Sequence, residues 1–254
     1  MTLTLISVPD EITIGRQIRE RVRAKTPVVR DARVGEYISR MGHRLAERAG
    51  GPAYPYTFDV ADLRAINAFT LPGGSIWINR GAIEAAQNES QLAAIVAHEV
   101  GHASRRHAAS QLSTALAARW ALGFMGALLG NIGGAVTSRA VADALTNGTL
   151  RRFSQADETE ADGAGVSIMH RAGWDARGML QFLDLLARIG RKEPDLVQQF
   201  LSTHPPPAQR ADHVRSLSLR LKGGIEDTAT FHDIRKRLAR LPRHPARAGV
   251  ERGL

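Results

Sequence analysis

Two histidines four residues apart, His98 and His102, enclose Glu99 in the run His98-Glu99-Val100-Gly101-His102. On a helix that spacing projects both imidazoles from one face, close enough to grip a single ion, with the carboxylate between them turned toward it. The bland alternative is a pair of surface histidines on an alanine-rich helix. Because the chain contains no cysteine, thiolate zinc sites, iron–sulfur clusters, disulfide scaffolds and a cysteine nucleophile are excluded, and any metal must be held by His or carboxylate. A catalytic zinc takes three protein ligands and keeps one position open for water. The metzincin pattern would place Gly at 105 and His at 108, where Arg105 and Ala108 stand, so that class is excluded as well. His107, five residues past His102, falls off the metal face and is expected on the helix surface or beside a ligand.

The better third ligand is Glu158, which opens Glu158-Thr159-Glu160-Ala161-Asp162 near the start of a helix whose dipole favours a carboxylate. Asp162, one turn on, shares its face and is placed to accept the free N–H of a ligand imidazole, fixing its tautomer. Glu160 should face away. An acidic first turn that merely offsets the dipole is the plain alternative. With three ligands the chemistry is hydrolytic: the ion acidifies a water, Glu99 takes its proton, and the leaving amine receives that proton afterwards. A donor from elsewhere, a His, Tyr or Arg, is needed beside the ion for the oxyanion.

Elements to carry these residues are legible in the surrounding pattern. Apolar spacing predicts helices over Asp10–Lys25 and Val34–Ala49, then β-prone runs at Tyr56–Val60, Ala65–Leu71 and Ser75–Ile78, the last two joined by Pro72-Gly73-Gly74. Asn88 with Gln91 marks the start of a central helix running to about Ala118, and Ser154 with Asp157 opens another to about Arg171. A further helix ends at Gly190, and Pro205-Pro206-Pro207 separates a short helix from one that begins near Ala208 and ends before Gly223-Gly224. The expected fold is α+β and mostly helical, zincin-like, with a small antiparallel sheet packed beside the central helix.

At 254 residues and 43% hydrophobic, the chain can bury a sizeable core. The expected organisation is one domain over 1–222, including an apolar Gly-rich segment over 120–150, and a basic extension over 223–254. Ten of the Lys and Arg residues but only four acids lie between Arg215 and Leu254, which carries most of the +9 net charge. With aromatics at 5%, a solvated basic helix is favoured over a nucleic-acid surface, and no nucleic-acid partner is expected. Trp120–Ser138 carries no charge, but its glycines weaken it as a span, and its flanks must meet on one ion. A folded-back hairpin that covers the cleft or touches a membrane surface is therefore expected. Pro9-Asp10 cuts the first apolar run short of signal length, so the chain is expected to be cytoplasmic or to have lost an export signal.

These motifs together resemble the BepA-like, HtpX-like and CAAX prenyl endopeptidase family of gluzincin-type zinc metalloendopeptidases, over about Asp10 to Arg215. The resemblance is carried by Ile66-Asn67-Ala68-Phe69, Leu71-Pro72-Gly73-Gly74, Asn88 to Ala93 leading into the HEVGH run, Glu158 to Asp162, and Ser202-Thr203-His204-Pro205. It implies one zinc on His98, His102 and Glu158, with Glu99 as base. It also implies that Asn67, Ala68 and Phe69 lie on an edge strand where an extended substrate adds as another strand. In the BepA-like branch the histidine of a His-Pro loop can occupy the water site and hold the enzyme latent, and His204 matches that histidine on backbone that prolines keep from being helical. A plain connector is the other possibility for that loop. Arg210, one turn beyond Pro207, either orients a carboxylate or stabilises the oxyanion, with a surface ion pair as the alternative.

The expected function is zinc-dependent endoproteolysis of unfolded or misassembled polypeptides in a bacterial cell envelope or periplasm. A non-catalytic, zinc-pinned chaperone-like protein is the first rival, and a peptidase that reads a free terminus the second. Serine-hydrolase chemistry is weak, because Gly73-Gly74-Ser75-Ile76-Trp77 lacks the second glycine of a nucleophile elbow.

Overall fold

Helix α1 (Val8–Lys25) begins where the Ser7 hydroxyl accepts the Asp10 N–H, and α2 (Ala32–Ala46) begins where the Asp31 carboxylate accepts that of Val34. Val34, Ile38, Met41 and Leu45 line the buried face of α2, as their spacing predicts. The computed structural model describes residues 4–114, 117 and 153–244. The expected 120–138 hairpin, the whole apolar segment over 120–150 and residues 245–254 lie outside the described residues.

Strands β1 (Thr57–Ala61), β2 (Ala68–Leu71) and β3 (Ser75–Asn79) form a sheet in the order β1-β3-β2. β2 and β3 pair antiparallel across the Pro72–Gly74 turn, where Gly73 and Gly74 take φ of 76° and 88°. β1 pairs parallel to β3, so the sheet is mixed rather than antiparallel as expected. Strand direction does alternate along the chain, but β3 inserts between its two predecessors. Its Ile76-Trp77-Ile78 run is buried on both faces, which only the central position satisfies.

After α3 (Arg80–Ala85) comes the central helix α4 (Glu89–Ser104), capped by Asn88 and buried along its whole length. It is shorter than expected. Arg105 and Arg106 form a turn, Arg106 adopts the left-handed φ of 61°, and the helix resumes over 107–114. Tertiary contacts hold this break: Arg106 Nε donates to Glu11 Oε2 at 3.0 Å and Nη2 to the Ile6 carbonyl at 2.6 Å.

The remaining elements are α5 (Gln155–Arg171), α6 (Arg177–Lys192), α7 (Pro194–Thr203), α8 (Ala208–Ser218) and α9 (Ala229–Arg240). α5 opens with the anticipated capping box between Ser154 and Asp157. It lies hard against α4, because a Cβ on Gly101 would sit 2.8 Å from the Ala161 carbonyl oxygen and one on Gly165 3.3 Å from the His98 nitrogen. That close approach brings a carboxylate on α5 within reach of imidazoles on α4. α9 lies within the stretch expected as a basic extension, and its Phe231, Ile234 and Leu238 join the same hydrophobic cluster as α2, α4 and α6. Among the described residues no helix is long and apolar enough to cross a membrane.

Candidate metal centre

His98, His102, Glu158 and His204 each offer a ligand atom, and these atoms lie within 4.8 Å of one another in a fully buried group. His98 Nε2 is 3.0 Å from His102 Nε2, His102 Nε2 is 3.3 Å from Glu158 Oε1, and His204 Nδ1 is 3.5 Å from His98 Nε2. A tetrahedral zinc with bonds of about 2.0–2.1 Å sets its ligands about 3.3–3.4 Å apart; these three edges lie near that spacing, whereas His204 Nδ1 and Glu158 Oε1 stand closer, at a hydrogen-bond distance of 2.6 Å. Glu158 Oε2 accepts no well-aligned hydrogen bond from the described residues, although Arg210 Nη1 lies 2.7 Å away.

Charge gives a second test of fit. Glu99, Glu158, Asp162 and Arg210 are all buried here, and three carboxylates against one guanidinium leave −2. With neutral imidazoles, a dication brings the cluster to zero. Without one, protons must compensate. Burial and the Arg210 charge push His98 down, but hydrogen bonds to Asp162 and Glu158 outweigh them and raise its pKa to about 9. Burial holds His102 well below the usual imidazole value. Burial would raise Glu158, yet the His204 charge and the hydrogen bonds from His102, His204 and His98 hold its carboxyl far below the ordinary range. Asp162 is likewise lowered, against its burial, to about 2 by Arg210 and His98.

Around the four ligand atoms the other expected residues fall into place. Asp162 Oδ1 is 3.1 Å from His98 Nδ1, the contact its spacing from Glu158 anticipates. Arg210 Nε donates to Asp162 Oδ2 at 2.7 Å and Nη1 lies against Glu158, so the guanidinium bridges these two carboxylates of α5. Glu99 is turned the other way, its Oε1 lying 3.7 Å from His204 Nε2 and its Oε2 2.9 Å from the Thr70 hydroxyl. The His204 ring thus stands between the ligand group and Glu99, stacked on Phe200 with centroids 4.5 Å apart.

His107 is where sequence reasoning left two options open. The break at Arg106 turns its buried ring inward, so that its Nδ1 lies 2.9 Å from His102 Nδ1 and its Nε2 3.3 Å from Glu160 Oε2. Glu160 faces away from the ligand group and, among the described residues, is linked to it through this ring. Phe153 stacks on His102 at 4.0 Å, and its N–H donates to the Thr203 carbonyl, next to His204. Neither Thr70 nor Phe153 carried a sequence signal, since each acts through a contact across the fold.

Asn67, Ala68 and Phe69 sit at and beside the β2 edge of the sheet. Asn79 N donates to Asn67 O at 2.9 Å, and the register pairs Phe69 with Trp77 and Leu71 with Ser75. By antiparallel alternation the main-chain groups of Asn67, Phe69 and Leu71 face β3, and those of Ala68 and Thr70 face the outer edge. The Phe69 ring stacks on Trp77 at 6.1 Å, on the sheet face away from Glu99.

The model of peptidase family M48 matches residues 32–218, a span that takes in α2 through α8 and every residue of the buried group. The chain belongs to peptidase family M48. It is 31% identical over 221 residues to the beta-barrel assembly-enhancing protease of Escherichia coli (strain K12), covering 83% of this chain and 44% of that protein. It is also 32% identical over 152 residues to the mitochondrial metalloendopeptidase OMA1 of Saccharomyces cerevisiae, covering 58% of this chain and 42% of that one. With the metalloprotease YcaL of Escherichia coli (strain K12) it shares 20% identity over 186 residues, 73% of this chain and 70% of that one. The chain thus spans less than half the length of the first two relatives. As an M48 chain it has the His-His-Glu site of an HExxH zinc enzyme, and the buried group is suited to that metal.

Proposed function

We propose that this M48 chain is a zinc-dependent endopeptidase of unfolded or misassembled polypeptides, with His98, His102 and Glu158 as ligands and Glu99 as general base. The observation that carries it is the convergence of those three side chains, from two helices, on one buried point beside Glu99. Bound zinc supplies Lewis acidity, polarising the scissile carbonyl and acidifying a water. Glu99 Oε1, the carboxylate oxygen on the ligand side, takes the water's proton and returns it to the departing amine. Asp162 accepts from His98 Nδ1 and so keeps Nε2 free for the metal. The Arg210 guanidinium is engaged by Glu158 and Asp162, which favours orienting those carboxylates over donating to an oxyanion. An extended substrate would add at the edge of β2, where Ala68 and Thr70 turn their main-chain groups outward.

His204 supports latency. Its ring occupies the place a water would need, between the ligands and Glu99, and the stiff Pro205-Pro206-Pro207 run makes its displacement a movement of the loop as a whole. The same fourth ligand favours the rival of a zinc-pinned, client-binding protein, because closed four-ligand sites are structural. An envelope or periplasmic setting fits the resemblance to the assembly-enhancing proteases. Casein hydrolysis by the zinc-loaded chain, its loss with chelator and its return with zinc test the enzyme reading. Glu99→Gln should retain zinc and lose hydrolysis, and His204→Ala should raise turnover. Failure of both the wild type and His204→Ala to cleave casein at full zinc occupancy would leave the client-binding reading.

A further inference from the structure

Glu99 is held by a hydroxyl that belongs to the sheet. Thr70 lies on β2 opposite Ile76, and strand alternation turns its side chain to α4 while Phe69 stacks on Trp77 on the opposite face. Its Oγ1 is 2.9 Å from Glu99 Oε2 and 2.8 Å from the Glu99 carbonyl oxygen, and both residues are buried. The other carboxylate oxygen, Oε1, faces His204 Nε2 at 3.7 Å. The two oxygens of one carboxylate therefore have different surroundings, one tied to the sheet and one turned to the ligand group.

We propose that Thr70 is a positioning residue for the general base: its hydroxyl anchors Glu99 Oε2, which fixes the plane of the carboxylate and leaves Oε1 as the oxygen that meets the attacking water. This rests on the reading of Glu99 as base given above. A carboxylate on a terminal sp³–sp² torsion has a broad rotational well, so an unanchored Glu99 would present its oxygens over a range of directions. The hydroxyl donates to Oε2 while Glu99 is ionised. Once Glu99 carries the water's proton on Oε1, Oε2 remains an acceptor and the same hydroxyl still donates to it. Valine has the shape of threonine without that hydroxyl, and would leave Oε2 buried with no donor from β2. The main-chain groups of Thr70 at the outer edge of the strand are untouched by the change, so substrate docking along β2 is preserved.

The test uses the full zinc-loaded chain and three variants, Thr70→Val, Thr70→Ser and Glu99→Gln, with kcat and KM measured on a fluorogenic peptide. Infrared difference spectra of the same proteins provide a readout independent of turnover, the Glu99 carboxylate band being identified by its disappearance in Glu99→Gln. Thr70→Val should lower kcat roughly tenfold, short of the 10²–10⁴ that a whole general base contributes, with KM within twofold. The Glu99 band should shift in Thr70→Val, and Thr70→Ser should restore both band and kcat. A Glu99 band that stays in place in Thr70→Val overturns the proposal, as does an unchanged kcat in that variant while Glu99→Gln is inactive. Full activity in Glu99→Gln would instead overturn the general-base reading itself.

Discussion

Arg210→Met removes the one guanidinium that faces three buried carboxylates while keeping most of the volume. In the metal-free protein, Glu158 and Asp162 would lose their contacts at 2.7 Å to Nη1 and Nε. Breaking a buried pair by removing one partner costs about 3–5 kcal/mol, because the remaining charge is left uncompensated. For 254 residues an unfolding entropy of about 2.1 cal/mol/K per residue converts this to a fall in Tm of about 6–9 °C. With zinc bound, two positive charges stand beside Glu158 and remain there when Arg210 is removed. The loss should then be at most about half as large. Thermal denaturation followed by far-ultraviolet circular dichroism, in chelator and in saturating zinc, measures both values. An equal or greater loss in zinc would refute the charge balance assigned to this cluster, as would a change of less than about 1 kcal/mol in chelator.

Two further outcomes are expected. If His102 coordinates through Nε2, its Nδ1–H donates to His107 Nδ1, so His107→Ala should weaken zinc binding by about 10–100-fold; competition with a chromophoric chelator measures this, and unchanged affinity would mean that His107 does not orient its neighbour. Asp31 caps α2 and accepts Arg237 Nε from α9 at 2.9 Å, and this hydrogen bond lowers its pKa against its burial. The stabilisation is therefore complete above the ordinary carboxylate value and lost as pH falls through the lower folded one, so Tm should decline less steeply below about pH 4 in Arg237→Ala than in the wild type, and parallel curves would remove the pair from the acid response.

Sequence alone determined the parts of the site that depend on local periodicity. His98, Glu99 and His102 lie on one side of a helix because 3.6 residues make a turn, and Glu158 and Asp162 do so for the same reason, so which side chains could act together on each helix was readable from spacing. Helix starts were readable too, since Asn88 and Ser154 satisfy main-chain donors within three residues of themselves. What the tertiary structure decided depends on groups far apart in the chain. The helix break at Arg106 has no glycine or proline to announce it, and is stabilised by Glu11 and the Ile6 carbonyl, about a hundred residues away. That break decides whether His107 points to solvent or to His102. Sheet order is likewise non-local: the pattern gives three strands of alternating direction, but burial of β3 on both faces places it in the middle and leaves β2 at the edge, its Thr70 hydroxyl against Glu99. His204 comes beside Glu158 because α7, which ends just before it, packs on α6, and α8, which follows it, packs on both α5 and α6. Spacing specifies which side chains can act together on one element, whereas packing between elements decides which of them meet, because only burial forces distant polar groups to find partners.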